Sequence, residues 1–328
     1  MVSGRKRDML EKSQRTVQFA VGSYPDADVE YNDRAALDMR LYPHMFIEDV
    51  YLLIMPIGGE RLSGALKVFL TTENRDYERM LARALSEQKE QDLAAAYCDF
   101  VQECAQTMML FGKAHYEIVY LRGQEPAKDF AFELSRIRPY TVYKKWGNYY
   151  QKIPRELAGK LGIGDKIALP KQDLLIFEIP EEYGDQEERM LKSLGQISDI
   201  SYPQTEQNVL NESENYVDLT VQMHTRDAAL AEITSFIGWG ARGLVYKGVN
   251  EYYATYRHLR FQLFLAVLRE HINKQLNECL SLVQTRVEFD GAIVVEGLPT
   301  SRDILHALSE LEKGNLSFKD AVNKYSSI

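Results

Sequence analysis

From Glu251 to Val283 the chain runs without a glycine or a proline: EYYATYRHLRFQLFLAVLREHINKQLNECLSLV. Nothing in this stretch stops an α-helix, and at 1.5 Å per residue it would span about 50 Å. Tyr256, Leu259, Leu263 and Val267, continued by Ile272, Leu276, Cys279 and Val283, form an apolar stripe. Arg257, Arg260, Arg269, Glu270, Lys274 and Glu278 lie mostly off it. A helix this long exceeds the usual globular length. It is expected to be a spine that crosses several layers, to pack against another subunit, or to form the core of a monomeric bundle.

The segment before the helix is its opposite. GWGARGLVYKGVN (238–250) holds four glycines, Trp239 and two cations, Arg242 and Lys247. That composition predicts a loop. After the helix, VEFDGAIVVEG is strand-like and PTSRDILHALSELEKGN is a capped helix closed by Gly314. SFKDAVNKYS is a short helix with Ser317 and Asp320 spaced as a capping box.

Upstream, the apolar run from Val50 to Ile57 contains Pro56 and is expected to be a buried strand. TTENRDYERMLARALSEQ predicts a helix with Thr72 or Asn74 as N-cap. A longer helix is expected at about 91–111, with Leu93, Tyr97, Phe100, Cys104, Met108 and Phe111 on one face. After Gly112 the period becomes two. Ala114, Tyr116, Ile118 and Tyr120 point one way; His115, Glu117 and Val119 point the other. DFAFELSRI alternates again, and TVYKKW and YYQKI flank Gly147-Asn148, a hairpin signal. ALPKQDLLIFEIP gives one more strand. EERMLKSLGQIS and HTRDAALAEITSFI read as helices, the second with Thr225 as N-cap, and SYPQTEQNVLNESENY between them reads as a loop or a small, poorly cored subregion.

Two readings of His115 and Glu117 stand open: a satisfied polar face of the sheet, or, with Tyr149, an enzyme or small-molecule site. The polar face is the expectation, since no nucleophile is placed nearby. GxxxxGK[ST] is not met, because Asp165 follows Gly164. HExxH, GxSxG and EF-hand patterns do not appear. His258 and His271 are too far apart in sequence for one metal ion on one helix. Cys98, Cys104 and Cys279 include no CxxC, and three cannot all pair, so buried, reduced thiols are expected. No catalytic residue, metal or cofactor is expected.

The 328 residues are 45% hydrophobic, enough for a real core and about two domains. The net charge of −9 argues against a surface that wraps duplex DNA, but leaves room for a chain that lets DNA pass without gripping it. The N-terminal MVSGRKRDMLEKSQR has no apolar run behind its cations and does not read as a secretory signal; Arg5-Lys6-Arg7 reads as part of a solvated tail. No stretch is apolar for long enough to span a membrane, and the chain is expected to be made in the cytoplasm.

Residues 104–178 and 224–325 together resemble the portal proteins of tailed bacteriophages and prophages. LFGKAHYEIV followed by LSRIRPYTVYKKWGNYYQ resembles the portal wing, KQDLLIFEIP the strand before the stem, and IGWGARGLVYKGVN with the long helix the loop and helix that face the channel. RDILHALSELEKGNLSFKDAVNKYS is similar to the portal C-terminal pattern. The resemblance implies an α+β, portal-like fold. It would have a flexible arm (1–36), a wing-like region with a β-meander (37–180) and stem helices (181–237) around a short clip-like segment (201–223). A tunnel loop (238–250) and a spine helix with a crown-like strand and helices (251–328) would complete it. It further implies a homo-oligomeric ring, commonly a dodecamer, at the capsid vertex of a virion. Double-stranded DNA would pass through the channel during packaging and ejection. The partners would be the major capsid protein, the terminase large subunit and a neck adaptor, with Trp239, Arg242 and Lys247 as DNA-channel residues. The clip and crown are short for the family. A neck or adaptor component is the alternative within the same particle.

Overall fold

The computed structural model describes residues 40–56, 66–86, 91–122, 129–201, 219–246 and 249–325. The N-terminal arm, most of the clip-like segment and Lys247 lie outside the described residues. The chain divides into two compact units, each assembled from three stretches of sequence. The first takes in Met1–Asn32, Gly64–Glu178 and Ile272–Gly297; the second takes in Asp33–Ser63, Ile179–His271 and Leu298–Ile328.

In the first unit, β1 (Lys67–Leu70) leads to α2 (Arg75–Leu85) and α3 (Leu93–Phe111). Of the two caps expected for α2, Asn74 is the one used: its Oδ1 accepts from the amides of Asp76 and Tyr77. Asp92 caps α3 by accepting from Ala95 N at 2.8 Å. Such a cap contributes about 1 kcal/mol. Gly112, at φ 77°, ends α3 in the left-handed region and releases the chain into β2 (Lys113–Arg122).

β2 is the centre of an antiparallel sheet, between β3 (Asp129–Ile137) and β7 (Leu174–Glu178). Its even-numbered face packs on α3: Phe100, Tyr116 and Phe177 form a three-ring cluster with centroids 5.1–5.8 Å apart. The odd face is buried as well, with His115 5% and Glu117 3% exposed. The expected open polar face is therefore a closed one. Alternation distinguishes the two faces of a strand, but it does not say whether the second face is covered.

The expected single meander is two sheets. β4 (Val142–Lys145), β5 (Asn148–Lys152) and β6 (Lys166–Leu169) form their own antiparallel sheet, with α4 (Arg155–Leu161) inserted between β5 and β6. KQDLLIFEIP thus supplies β7 to one sheet, while the residues just before it supply β6 to the other. The β4–β5 turn lies one residue earlier than Gly147-Asn148. Lys145 pairs with Asn148, and Trp146 (φ 51°) and Gly147 (φ 82°) are the two central residues. Both are left-handed, as a type I′ hairpin turn requires.

The last third of the chain completes the first unit. β8 (Ile293–Glu296) pairs antiparallel with β1, and Asn277 steadies it by bonding both the N–H and the C=O of Ile293.

In the second unit, α1 (Leu41–Leu53) occupies much of the run expected to be a strand. Its buried residues are Tyr42, Pro43, Phe46, Ile47, Asp49 and Val50. Their spacing of three to four is helical, and it begins before the apolar run that suggests a strand. Pro43 is tolerated because it stands in the first turn. α5 (Gly184–Ser201) and α6 (Leu219–Ile233) follow. α6 starts upstream of Thr225, whose hydroxyl bonds back to Val221 C=O within the helix instead of capping it.

α7 (Glu251–Val283) is the uninterrupted helix that the sequence predicts. It belongs to the second unit through His271 and to the first from Ile272. Its buried surface is wider than the predicted stripe: Phe261, Gln262, Leu263, Phe264, Leu265 and Ala266 are consecutive and all buried. Phe46 and Tyr183 close on Phe264, with centroids 6.1 and 5.0 Å away. Leu259, Leu263 and Ala266 pack with Ile304 and Leu308 of α8 (Ser301–Glu312) and Ala321 and Tyr325 of α9 (Phe318–Tyr325). Each large side chain so buried stabilises by roughly 1.5–3 kcal/mol. This stretch of the long helix therefore finds its apolar cover within the chain. The capping box of α8 (Thr300 with Asp303) is formed; at α9 the Ser317 hydroxyl accepts from Asp320 N–H and donates to the Asp320 carboxylate, and Gly314 is left-handed as expected.

Candidate functional site

The turn between α6 and α7 is built from the end of one helix and the first turns of the next. Two arginines of α7 bind the closing backbone of α6. Arg257 is 1% exposed. It donates to the carbonyls of Ala231 (2.9 Å) and Trp239 (2.6 Å) and to the hydroxyl of Thr234 (2.5 Å). Arg260 donates to Phe236 C=O at 2.6 Å. A cation at a helix C-terminus meets the negative end of the helix dipole and carbonyls that have no helical partner. Carbonyl and hydroxyl acceptors thus receive the buried guanidinium.

Gly238 lets the turn lie against α7. At φ 84°, a Cβ there would stand 2.3 Å from Arg257 C=O and 2.6 Å from the Arg260 Cβ. Beyond it, Ala241, Arg242 and Gly243 are all left-handed, at φ 46°, 53° and 91°. The turn is a short 3-10 segment, Ala241–Tyr246, with a kink at Arg242.

Trp239 and Arg242 meet on one carboxylate. The indole Nε1 donates to Asp49 Oδ2 at 2.8 Å, and Arg242 Nε donates to Asp49 Oδ1 at 2.9 Å. Arg242 Nη2 also donates to Glu48 at 2.5 Å. The guanidinium holds the Glu48 carboxyl below its ordinary value, and Glu48 and Asp49 push that of Arg242 up. Trp239 is 1% exposed and packs edge-on against Phe46, 5.4 Å between centroids. It is thus an internal anchor, and Arg242, with 44% of its side chain exposed, is the member of the pair that reaches the surface. One cation faces two carboxylates, so this surface is slightly acidic.

Sequence reasoning singles out Trp239 and Arg242 as channel candidates, but not Glu48, Asp49 and Arg257, to which they are bonded here. A signal exists for Asp49, a carboxylate inside the apolar run FIEDVYLL. Such a charge must find a partner if it is buried.

The other candidate set does not assemble on one sheet. His115 and Glu117 lie on β2, whereas Tyr149 lies on β5 in the other sheet, with the Lys144 ammonium 5.6 Å from its ring centroid. Burial, with Lys113 nearby, pushes His115 down to about 4, so it is neutral at ordinary pH. The three cysteines are free and buried, and burial raises Cys98 and Cys279 to about 12. Among the described residues no cluster of His, Cys, Asp and Glu is placed to hold a metal ion, and no helix is long and apolar enough to cross a membrane.

No family model and no curated protein matches the chain. Among solved structures, it is similar to a chain in the virion of a native gene transfer agent particle. The two are 14% identical, the match covers 95% of this chain and 96% of that one, and the TM-score is 0.48.

Proposed function

We propose that the chain is a portal-type subunit, a phage or prophage structural protein without chemistry of its own. About a dozen copies would close into a ring at one capsid vertex. Double-stranded DNA would pass through the hole during packaging and ejection. The sequence resemblance over 104–178 and 224–325 supports this reading. The observation that carries it is the anchored turn ahead of α7. Arg242 is presented at the surface already countered by Glu48 and Asp49. A phosphate passing such a cation displaces few counterions and gains little, so DNA is guided without being arrested. In this reading Trp239 acts by holding the turn, and Lys247 would be the second cation of the loop. Val221 (60% exposed) and Met223 (46%) on α6 are apolar surface that a neighbouring copy would cover. The ring would bring the major capsid protein, the terminase large subunit and a neck adaptor to the same vertex.

Mass photometry across a concentration series, with negative-stain imaging, tests the reading. Rings near a dozen subunits are expected, either alone or on addition of capsid partners. A particle that stays monomeric under all these conditions overturns it.

A further inference from the structure

We infer that the outer face of the β4–β5–β6 sheet is a binding platform for single-stranded nucleic acid. Strand register places Tyr143, Lys145, Tyr150, Lys152 and Lys166 on one face, because Tyr143 pairs with Tyr150 and Lys152 with Lys166. With Trp146 at the hairpin tip they line an open cleft of about 1100 Å³. Among the described residues none that lines it is acidic. In a chain of net charge −9 this is a local reversal of sign.

Lys152 and Lys166 stand directly opposite each other on neighbouring strands, which places two ammonium groups side by side on this face. Two features of Trp146 work against the fold. Trp146 is 93% exposed, so it buries almost nothing. It also adopts φ 51°, a conformation that a type I′ turn fills best with asparagine or glycine and that strains a bulky residue. Beside it, the rings of Tyr143 and Tyr150 are stacked, 5.6 Å apart and 22° from parallel. The Lys145 ammonium lies 5.9 Å from the Trp146 ring centroid, which brings charge and π-surface together at the tip.

The occupant follows from the combination. Lysine is depleted in protein–protein interfaces, so three lysines favour an anion over an ordinary protein partner. Exposed aromatic faces favour a ligand that carries planar rings. An unpaired strand of nucleic acid offers both at every nucleotide, and a base stacks on an aromatic side chain whatever its sequence. A duplex offers the phosphates but hides its base faces. Asn148 to Lys152 spans about 13 Å of strand, enough for a short extended stretch. The inference stands on this sheet alone and does not depend on the ring.

The test uses the full-length protein and a fluorescently labelled oligothymidylate, read by anisotropy at low salt. Trp146 supplies a second readout, because Trp239 is buried and only Trp146 can stack on a base. Saturable binding with quenched tryptophan emission is expected. The salt slope should be near −2, about 0.7 for each of three lysines. Lys145→Glu with Lys152→Glu and Lys166→Glu should weaken binding by at least about tenfold, since three charge-assisted bonds to phosphate are removed and repulsion replaces them. Trp146→Ala should weaken binding several-fold and abolish the quenching. That residue is so exposed that circular dichroism and melting should not change. A duplex of the same length should bind at least about tenfold more weakly. No saturable binding, or binding that survives the triple substitution, overturns the proposal. So does a duplex or polyglutamate that binds as tightly as the single strand; polyglutamate would mark the face as a dock for acidic protein instead.

Discussion

Trp239 and Asp49 are joined by a 2.8 Å hydrogen bond across 190 residues of sequence, and both are buried. The same carboxylate holds Arg242, so a single side chain of α1 fixes the turn that precedes the long helix. Asp49→Ala would leave a buried indole N–H unsatisfied and Arg242 with one partner fewer. The expected loss is about 1–3 kcal/mol. Asp49→Asn keeps an acceptor and should lose less. Urea unfolding followed by Trp239 emission, in a Trp146→Phe background, checks both.

Gly238→Ala should be among the most damaging single-methyl changes in the chain. The added carbon would overlap backbone as well as a side chain, at a backbone angle that disfavours any L-residue. A loss of about 2 kcal/mol or more is expected. The same unfolding measurement reads it.

Arg257 is the most consequential charge of the second unit. Arg257→Ala takes the guanidinium from Ala231 C=O and leaves Trp239 C=O and the Thr234 hydroxyl with only their bonds to each other and to Leu230, and should cost about 1–3 kcal/mol. Arg257→Lys retains the charge but not the reach to three acceptors, and should fall between wild type and Ala. An equal loss for Lys and Ala would show that geometry, and not charge, holds the turn.

His115 makes the first unit sensitive to mild acid. In the unfolded chain its pKa is the ordinary 6.5; in the fold it is about 4. Between those values the unfolded chain holds more protons, so acidification favours unfolding. Above pH 6.5 both states are neutral and the effect vanishes. The loss should approach about 3 kcal/mol as pH falls to about 4. His115→Gln should remove that part of the pH dependence of the urea midpoint. At about pH 8 only the packing change should remain.

Arg242→Ala combined with Lys247→Ala tests the turn as a DNA-channel element. Ring assembly should be intact, because Arg242 is at the surface and Trp239 still holds Asp49. Packaging or retention of DNA should change. Unchanged packaging by assembled particles would remove the turn from the channel.

Local signals in the sequence are faithful where one element decides its own fate. The bounds of α7, the cap at Asn74, the glycine stop at Gly112 and the Ser317–Asp320 contact at the start of α9 depend on neighbours within a few residues. What is not legible depends on distant partners. α1 looks like a strand because an apolar run carries little periodicity until Tyr42 and Phe46 are counted with it. His115 and Glu117 look open because the covering of a strand's second face is decided elsewhere in the chain. Trp239 looks like a surface aromatic in a glycine-rich loop; only Asp49, far upstream, shows that it is an anchor. Arg257 looks solvated, since nothing local reveals that the end of α6 lies against it.

The pairing of β1 with β8 sets an order of events during synthesis. The strand at 67–70 is made more than two hundred residues before its partner at 293–296. The first unit therefore cannot finish while its own middle portion is emerging from the ribosome; it must wait, with an unpaired edge, until β8 has been made. A nascent chain arrested before residue 293 would hold that edge exposed and would depend on chaperones until release.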